Sequence, residues 1–317
     1  MQSLLYDLEK QFFLDKAAVN RTQHLFITGL ARSGTTSVLN LFYSGGTFAS
    51  LAYEDMPFIL SPNLWSKVRG KSAQLEKVER AHGDEIFINL QSPEAFEEVF
   101  WKYILQNNYI HSHHLEKHTV SEKHVQEFEN FIQLVLKLRN RKNYLSKNNN
   151  NILRLNSLSK QMEDSIFLII FRDPLNHARS LLNTHNKFIP FQEEDDFVRE
   201  YMNFIGHNEF GLDHKRMLFT GDFKNNDAMA LDYWLELWCH IYGFLEKNCT
   251  SKNVRFVCYE DLCENPESYL RKKVLEDLFL DNLNFESLKN KNKKTDSGGH
   301  MHSALAFEIY NRMRKLD

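Results

Sequence analysis

The sequence predicts a three-layer α/β fold, in which helices cover both faces of a mostly parallel central sheet. Short apolar runs typical of buried strands alternate along the chain with longer segments of helical periodicity, as this fold class requires. No repeat or linker divides the 317 residues, so a single domain over residues 1–317 is expected. The strand candidates are residues 24–28, 85–90, 144–147, 166–171 and 254–258.

Three long helices are predicted between these strands. The first is expected to start at Ser92 and Pro93, because a serine cap followed by proline is a common helix start. The second covers about residues 122–139, and the third covers about residues 227–247. The residues expected to face the core are Phe96, Val99, Phe100, Tyr103 and Ile104, then Phe128, Phe131, Ile132 and Val135, then Trp234, Leu237, Trp238, Ile241 and Leu245. Residues 206–226 and 287–300 are expected to be long loops.

The composition is that of an ordinary globular protein, with 42% apolar and 26% charged residues. A net charge of −3 argues against general attraction to nucleic acid or to an anionic membrane. The N-terminal segment carries acidic residues, unlike a signal peptide, and no stretch reaches the ~20 apolar residues of a membrane span. A cytoplasmic location is expected. The cysteines lack metal-ligand spacing and are expected to be reduced, buried thiols: Cys239, Cys249, Cys258 and Cys263.

One strand-to-helix junction has the pattern of a phosphate-binding loop. In "HLFITGLARSGTTSVLN", residues 24–40, an apolar strand precedes Gly29 and Gly34, and Thr35 and Thr36 can open a helix. The glycine spacing matches the P-loop of ATP-binding proteins, but Thr35 stands where that loop has its lysine. The bound group therefore needs backbone N–H donors without needing the lysine.

A second strand-to-helix junction lies in "IFLIIFRDPLNHARSLLNTH", residues 166–185. Asp173 is the expected N-cap, and Pro174 is the expected first helical residue. Arg172 and Ser180 can then both face the carboxyl edge of the sheet and bind one anion. Two alternatives stay open. One is a structural ion pair of Arg172 beside a solvated Ser180; the other is a magnesium-binding Asp173 in a kinase or ATPase.

Two polar runs lie near predicted strand ends. Asn148–Asn151 begins where the strand "NYLSK" should end, and ligands of open α/β sheets bind beyond the carboxyl ends of strands. This position favours a role near the site. The histidine-rich stretch "HSHHLEKH", residues 111–118, fits no compact ligand set and is expected to be a solvated loop or helix face. No metal site is predicted.

Together the two junctions resemble the sulfotransferase family that uses 3′-phosphoadenosine 5′-phosphosulfate (PAPS). "GLARSGTTSVL" is similar to the family's 5′-phosphosulfate loop. "FRDPLNHARSLL" is similar to its 3′-phosphate motif, an arginine followed eight residues later by a serine. Residues 254–270, "VRFVCYEDLCENPESYL", provide a third and looser likeness. The resemblance spans roughly residues 24–270, is closer to bacterial members than to animal cytosolic ones, and implies the P-loop NTPase-like sulfotransferase fold.

The resemblance implies transfer of a sulfuryl group from PAPS to an acceptor hydroxyl or amine. A sulfuryl group carries less negative charge than a γ-phosphoryl group, so its transfer can proceed without the lysine and without a metal ion. Arg32 is expected to reach the sulfonate or the bridging oxygen; pairing with a nearby acid is the alternative. The residues expected to bind the 5′-phosphosulfate are Arg32, Ser33, Gly34, Thr35, Thr36 and Ser37, and those expected to bind the 3′-phosphate are Arg172 and Ser180.

Lys147 ends the strand before the 3′-phosphate motif, where family members place a lysine near the sulfonate. It is the expected source of positive charge at the bridging oxygen, with an ordinary surface lysine as the alternative. Animal cytosolic members have a histidine base two residues later, and here that position is Asn149. The expected base is therefore Glu54, by likeness to a glutamate that follows the loop helix in tyrosylprotein sulfotransferases. Asp55 and His185 are alternatives, and "YEDMP" could also be a solvated acidic turn.

The basic segment "KNKKTDSGGH", residues 291–300, lies where family members often have a cationic loop over the 3′-phosphate. Lys293 and Lys294 are the candidates there, and a solvated loop is the alternative. The acceptor is expected to be a small molecule or a glycan, and a peptide tyrosine is a more distant alternative. Two rival functions stay open: a P-loop kinase, and an inactive regulator that binds adenosine bisphosphate.

Overall fold

The chain alternates strands and helices, as its sequence pattern predicts. This computed structural model describes residues 2–15, 23–69, 78–79, 87–219, 223–278, 283–285, 288 and 300–316. The strands are β1 (Leu25–Thr28), β2 (Phe48–Ala49), β3 (Val78–Glu79), β4 (Phe87–Ile88), β5 (His114–Glu116), β6 (Asn143–Lys147), β7 (Ile166–Phe171), β8 (Arg216–Leu218) and β9 (Val254–Cys258).

The helices cover both faces of the sheet and vary widely in length. They are α1 (Gln2–Phe13), α2 (Thr35–Ser44), α3 (Pro62–Arg69), α4 (Glu97–Ile104), α5 (Glu122–Arg139), α6 (Leu155–Gln161), α7 (Pro174–Glu194), α8 (Asp196–Ile205), α9 (Leu231–Asn248), α10 (Tyr259–Glu264), α11 (Pro266–Leu270), α12 (Glu276–Leu278) and α13 (Ser303–Met313). Two 3₁₀ turns, Tyr53–Asp55 and Asn149–Leu153, and a π-helical turn, Arg271–Leu275, lie between them.

A central sheet of five strands has the order β2-β6-β1-β7-β9. Every neighbouring pair in it is parallel, so the carboxyl ends of β6, β1 and β7 lie side by side. Leu25 in β1 lies opposite Leu145 in β6 and opposite Ile166 in β7. This order brings the two predicted anion motifs, which follow β1 and β7, to adjacent positions at one edge of the sheet.

Both faces of the sheet are buried, which explains the continuous apolar run of β7. Phe167, Ile169 and Phe171 pack into the larger core, whereas alternate residues of β7, such as Leu168 and Ile170, pack into a smaller one. Residues from α5, α7, α9 and α13 contribute to the larger core, and residues from α2, α10 and α11 contribute to the smaller one. A strand covered on both faces loses the polar alternation of a surface strand.

The second and third predicted helices have nearly the expected bounds, whereas the first starts later than predicted. The second is Glu122–Arg139, where Ser121 caps the start by accepting a hydrogen bond from the His124 N–H at 3.3 Å. The predicted helix at Ser92 starts instead at Glu97. Ser92 Oγ accepts the N–H of Asn89 at 2.9 Å and closes a turn, so it is not available as a helix cap.

Two short strand pairs lie outside the central sheet. The strand candidate at 85–90 is reduced to β4, which pairs antiparallel with β3, while residues 85 and 86 lie outside the described residues. The predicted loop at 206–226 contains β8, and β8 pairs in parallel with β5 of the histidine-rich stretch. Strands of two or three residues are too short to produce a recognisable periodicity.

A buried ion pair stabilises the region beside β6. Arg154 and Glu98 are fully buried and lie 2.8 Å apart, and Glu98 also accepts a hydrogen bond from Asn148 at 2.8 Å. The end of β6 is thereby tied to α4. All four cysteines are free, and Cys263 alone among them is only half-buried. Within the described ranges, no helix has the length and apolar character needed to cross a membrane.

Candidate active site

The loop between β1 and α2 has left-handed backbone at three positions. The φ angles are +139° at Gly29, +68° at Arg32 and +103° at Gly34. A Cβ atom at Gly29 would lie 2.4 Å from the carbonyl oxygen of Ile170, and one at Gly34 would lie 2.3 Å from the ring of Tyr259. Side chains do not fit at these contacts. The two glycines therefore let the loop pack directly against β7 on one side and against α10 on the other.

Two buried side chains that the sequence pattern does not identify hold this loop. The hydroxyl of Tyr242 accepts the N–H of Leu30 at 3.2 Å and donates to the carbonyl of Ile170 at 2.8 Å. Nε2 of His177 lies 2.8 Å from the carbonyl oxygen of Ala31. Burial lowers the pKa of His177 to about 3, so the ring is neutral and its Nε2–H donates this bond. The loop shape is thus fixed by the protein itself.

The first turn of α2 directs backbone N–H groups into the loop. These groups have no partner within their own helix, and the helix dipole adds positive potential there. Thr35 is buried, whereas Thr36 is half-buried, and the side chain of Ser37 hydrogen-bonds with Tyr259. Residues 32–37 therefore form one turn with the donor pattern of an anion site.

The second junction has the predicted helix start. Asp173 caps α7 by accepting the N–H of Asn176 at 2.8 Å, and Pro174 is the first helical residue. The N–H of Asp173 donates to Glu260 at 3.0 Å. Glu260 belongs to the third motif, so α10 directly supports the second. Because its carboxylate caps the helix, Asp173 is poorly suited to bind magnesium as it would in a kinase.

The loop and the second junction meet through two arginines and a serine. Nη1 of Arg172 donates to the carbonyl oxygen of Arg32 at 3.3 Å, and Nε of Arg32 lies 3.5 Å from Oγ of Ser180. Burial lowers the pKa of Arg172 below its ordinary value, and the carboxylate of Glu260 opposes this fall. Three residues predicted from two distant motifs thus lie in contact, with two guanidinium groups close together.

The asparagine run attaches the end of β6 to the surrounding elements. The N–H of Asn148 donates to Ile27 at 2.9 Å, and the hydroxyl of Thr28 donates to the carbonyl of Asn148 at 2.8 Å. The side-chain amides then donate to four separate groups: Asn148 to Glu98 at 2.8 Å, Asn149 to Glu209 at 2.9 Å, Asn150 to the Gly206 carbonyl at 3.0 Å, and Asn151 to Glu97 at 2.7 Å. Lys147 precedes this run and is buried.

A cavity of about 280 Å³ adjoins these groups. One wall is formed by the loop and by the end of β6, and it includes Arg32, Thr36 and Lys147. The opposite wall comes from α7, α8 and the segment that follows α8, and it is largely apolar. The remaining lining residues are Ala31, Thr35, Tyr53, Glu94, Asn149, Phe188, Phe197, Val198, Tyr201, Met202, Ile205, His207, Glu209 and Phe210.

The model of the sulfotransferase family matches residues 24–278, the range that contains all three motifs. The chain belongs to the sulfotransferase family. Its fold is similar to that of sulfotransferase STF1 from Mycobacterium tuberculosis H37Rv, with a TM-score of 0.50 and 13% identity over 99% of this chain and 82% of that chain. Sulfotransferase STF9 from Mycobacterium avium aligns at a TM-score of 0.46 and 13% identity, over 90% and 70% of the two chains. No curated protein matches this sulfotransferase family member.

The three residues proposed as the base from the sequence do not line the cavity. Glu54 lies 2.7 Å from Arg139 and 3.0 Å from Arg69, and Asp55 lies 2.6 Å from Arg139. The 3₁₀ turn at Tyr53–Asp55 directs Tyr53 to the cavity and the two acids towards α3 and α5. His185 accepts the N–H of Gly211 at 3.2 Å and packs against Trp234. Glu54 is thus held in ion pairs with two arginines, and its role as the base stays a prediction.

Two other carboxylates line the cavity, Glu94 and Glu209. Glu94 follows Pro93 in a segment predicted to be helical, and Glu209 lies in a predicted loop, so neither stood in a recognisable motif. Among the described residues, no group of three or more His, Cys, Asp or Glu side chains could hold a metal ion. Lys293 and Lys294, predicted to approach the 3′-phosphate, lie outside the described residues.

Gly34→Ala should destabilise the protein more than Gly46→Ala. Both glycines have positive φ, but a Cβ at Gly46 would meet nothing within 4 Å. Gly46→Ala should cost about 1–2 kcal/mol through backbone strain. Gly34→Ala should lower the free energy of unfolding by about 1–3 kcal/mol more, because its Cβ would overlap with Tyr259. The free energy of unfolding from urea titration measures both, and equal losses would show that the Gly34–Tyr259 contact is unimportant.

Proposed function

We propose that this protein transfers a sulfuryl group from PAPS to a hydroxyl or amine of a small acceptor. The contact of Arg172 with Arg32, and of Arg32 with Ser180, carries the proposal, because it joins the two anion motifs into one positively charged site. The adjoining cavity supplies a place for the acceptor. A carbohydrate acceptor stays a prediction.

The donor has two anionic ends, which the two motifs would bind separately. The N–H groups of residues 34–37 and the hydroxyls of Thr35 and Thr36 would hold the 5′-phosphosulfate, because the N–H of Ser33 already donates to the carbonyl of Leu30 at 3.2 Å. Arg172 and Ser180 would hold the 3′-phosphate through a charge-assisted and a neutral hydrogen bond. The glycine contacts support this assignment, since a Cβ at Gly29 or Gly34 would disrupt the loop that carries the donors.

The transfer itself needs positive charge at the oxygen that leaves. The acceptor oxygen or nitrogen forms a bond to sulfur while the bond from sulfur to the bridging oxygen breaks, and the bridging oxygen keeps the electron pair. Adenosine 3′,5′-bisphosphate is released, and the acceptor loses a proton to a base. Lys147 and Arg32 line the cavity and would stabilise the charge that develops on the bridging oxygen and the sulfonate.

The rival functions fit the site less well. A kinase would need a lysine in the loop and a magnesium ligand after β7, where Thr35 and the helix cap Asp173 lie instead. A regulator that only binds the nucleotide would not need a cavity beside the loop with two carboxylates in its lining. The combination of anion site and acid-lined cavity therefore favours an enzyme.

Calorimetry without metal tests the choice of donor. Adenosine 3′,5′-bisphosphate should bind tightly in the presence of a chelator, because the site supplies its own positive charge. Binding of ATP that depends on magnesium, together with no binding of the bisphosphate, would reject the proposal in favour of a kinase.

Arg172→Ala should weaken bisphosphate binding by about 1–3 kcal/mol, and Ser180→Ala by about 0.5–1.5 kcal/mol, because only the arginine contact is charge-assisted. Arg271→Ala is the control, since Arg271 is an exposed arginine paired with Glu267 on α11. Calorimetry measures all three affinities, and circular dichroism verifies folding. A folded Arg172→Ala protein that binds as tightly as the wild type would reject this 3′-phosphate site.

A further inference from the structure

The wall of the cavity formed by α7, α8 and the segment after α8 is mostly apolar and aromatic, with Tyr201, His207 and Glu209 as its polar members. Phe188, Met202, Ile205 and Phe210 are buried there, and the rings of Phe188 and Phe210 stack with centroids 6.2 Å apart. A sugar hydroxyl placed against these four side chains would lose its bound water without gaining a hydrogen-bond partner. The wall is suited to hydrocarbon.

This apolar surface continues from the cavity to the solvent. Phe197 lines the cavity although it is 69% exposed, and its ring stacks on Tyr201 with centroids 6.1 Å apart. Phe191 is 46% exposed, and its ring lies 6.3 Å from that of Phe188. Exposed aromatic side chains that adjoin a pocket commonly mark a binding surface.

Several of the polar groups that line the cavity lie at the sheet edge. Arg32 and Lys147 face it from the donor loop and the end of β6, and Asn149 and Glu209 lie together beside them. A ligand would therefore place its polar end at the sheet edge and its apolar part along α7 and α8. The cavity volume of about 280 Å³ suits a ligand whose reacting end is compact.

We propose that the acceptor is an amphiphile: a molecule with one reactive hydroxyl or amine at the end of an aromatic or aliphatic body that extends past Phe197 towards the solvent. This inference rests on the proposed function, and it names the acceptor class. A carbohydrate, with hydroxyls on every side, is disfavoured by the same wall.

The test is the affinity of 4-alkylphenols, from phenol to 4-butylphenol, for the protein saturated with adenosine 3′,5′-bisphosphate. Each added methylene should lower the dissociation constant up to about fourfold. Phe197→Ser should remove much of this gain for the longer members and should change the affinity for phenol least. Phe12→Ser is the matched control, because Phe12 is 64% exposed on α1 and lies outside the cavity lining.

Affinity that does not change with chain length, or tighter binding of methyl glycosides than of alkylphenols, would overturn the acceptor class. The affinities of the alkylphenols are measured again without adenosine 3′,5′-bisphosphate. If the bisphosphate does not bind, the proposed donor fails, while the trend in the phenols still decides the acceptor class.

A separate observation concerns the general base. Asn149 lies two residues after Lys147, and its side chain donates to Oε1 of Glu209 at 2.9 Å. The backbone carbonyl of Glu209 also pairs with Nδ1 of His214 at 2.7 Å, which holds the segment in place. Both Glu209 and Asn149 line the cavity.

The other carboxylate that lines the cavity, Glu94, accepts more hydrogen bonds than Glu209 does. One oxygen of Glu94 accepts the hydroxyl of Tyr53 at 2.6 Å, and the other accepts the N–H of Ala95 at 2.8 Å. Across the described part of the chain, Oε2 of Glu209 accepts no hydrogen bond. This oxygen is therefore placed to accept a proton from a ligand in the cavity.

The geometry points to Glu209 as the general base, with Asn149 as the positioning residue. The proton of the acceptor moves to the Glu209 carboxylate as the acceptor oxygen bonds to sulfur, and the resulting carboxylic acid then loses this proton to water. Asn149 thus occupies the position of the missing histidine and acts by orienting another residue.

The test compares Glu209→Gln with Glu94→Gln on phenols of graded acidity. Assistance by a base matters most for weakly acidic phenols, so Glu209→Gln should lower kcat about 10²–10⁴-fold for these and much less for nitrophenols, which are already ionised. Glu94→Gln should show no such dependence on acidity. Asn149→Ala should give a smaller loss with the same trend, which a merely structural defect would not produce.

A loss in Glu209→Gln that is equal for all phenols would overturn the assignment, as would an acidity-dependent loss in Glu94→Gln alone. The dissociation constant of adenosine 3′,5′-bisphosphate should stay unchanged in every variant. Absence of transfer by the wild-type protein to any acceptor would count against the proposed function itself.

Discussion

The close packing of the β1–α2 loop against β7 and α10 is the constraint on which the site depends. Gly29 approaches the Ile170 carbonyl, and Gly34 approaches the Tyr259 ring, at distances that exclude a side chain. These contacts set where the loop lies relative to the start of α7. Arg32 can therefore contact both Arg172 and Ser180, although about 140 residues separate it from them in the sequence. An anion site made of backbone and guanidinium donors follows from this packing.

The parallel sheet gives the two sides of the proposed site, one for the sulfuryl donor and one for the acceptor, different origins. The donor side is built at the carboxyl ends of β1 and β7, where the backbone is held by buried groups such as Tyr242 and His177. The acceptor side is built by α7, α8 and the residues after α8, which the asparagine run ties to β6. The donor side can thus remain the same while the lining of the acceptor side changes, as is common for sites placed on one fold.

The sequence predicted the central strands well, because runs such as β7 are buried on both faces and bounded by turn residues. It also predicted the helix start at Asp173 and Pro174, since capping follows local chemistry. It did not identify Glu209, because the Asn149 contact depends on tertiary packing between segments 60 residues apart. Glu54 was predicted by likeness to a glutamate that follows the loop helix in tyrosylprotein sulfotransferases, but the 3₁₀ turn directs it to Arg69 and Arg139. Sequence distance does not determine the direction of a side chain in such a turn.

The central claim is that this site moves a sulfuryl group with positive charge supplied by the protein. The most direct measurement is the single-turnover rate of bisphosphate release from PAPS in the presence of a phenol acceptor and a chelator, for the wild type and for Lys147→Ala. The account predicts an undiminished rate under chelation and a rate about 10²-fold lower in Lys147→Ala, with bisphosphate affinity nearly unchanged. A rate that requires added magnesium, or a Lys147→Ala protein that retains the wild-type rate, would contradict it.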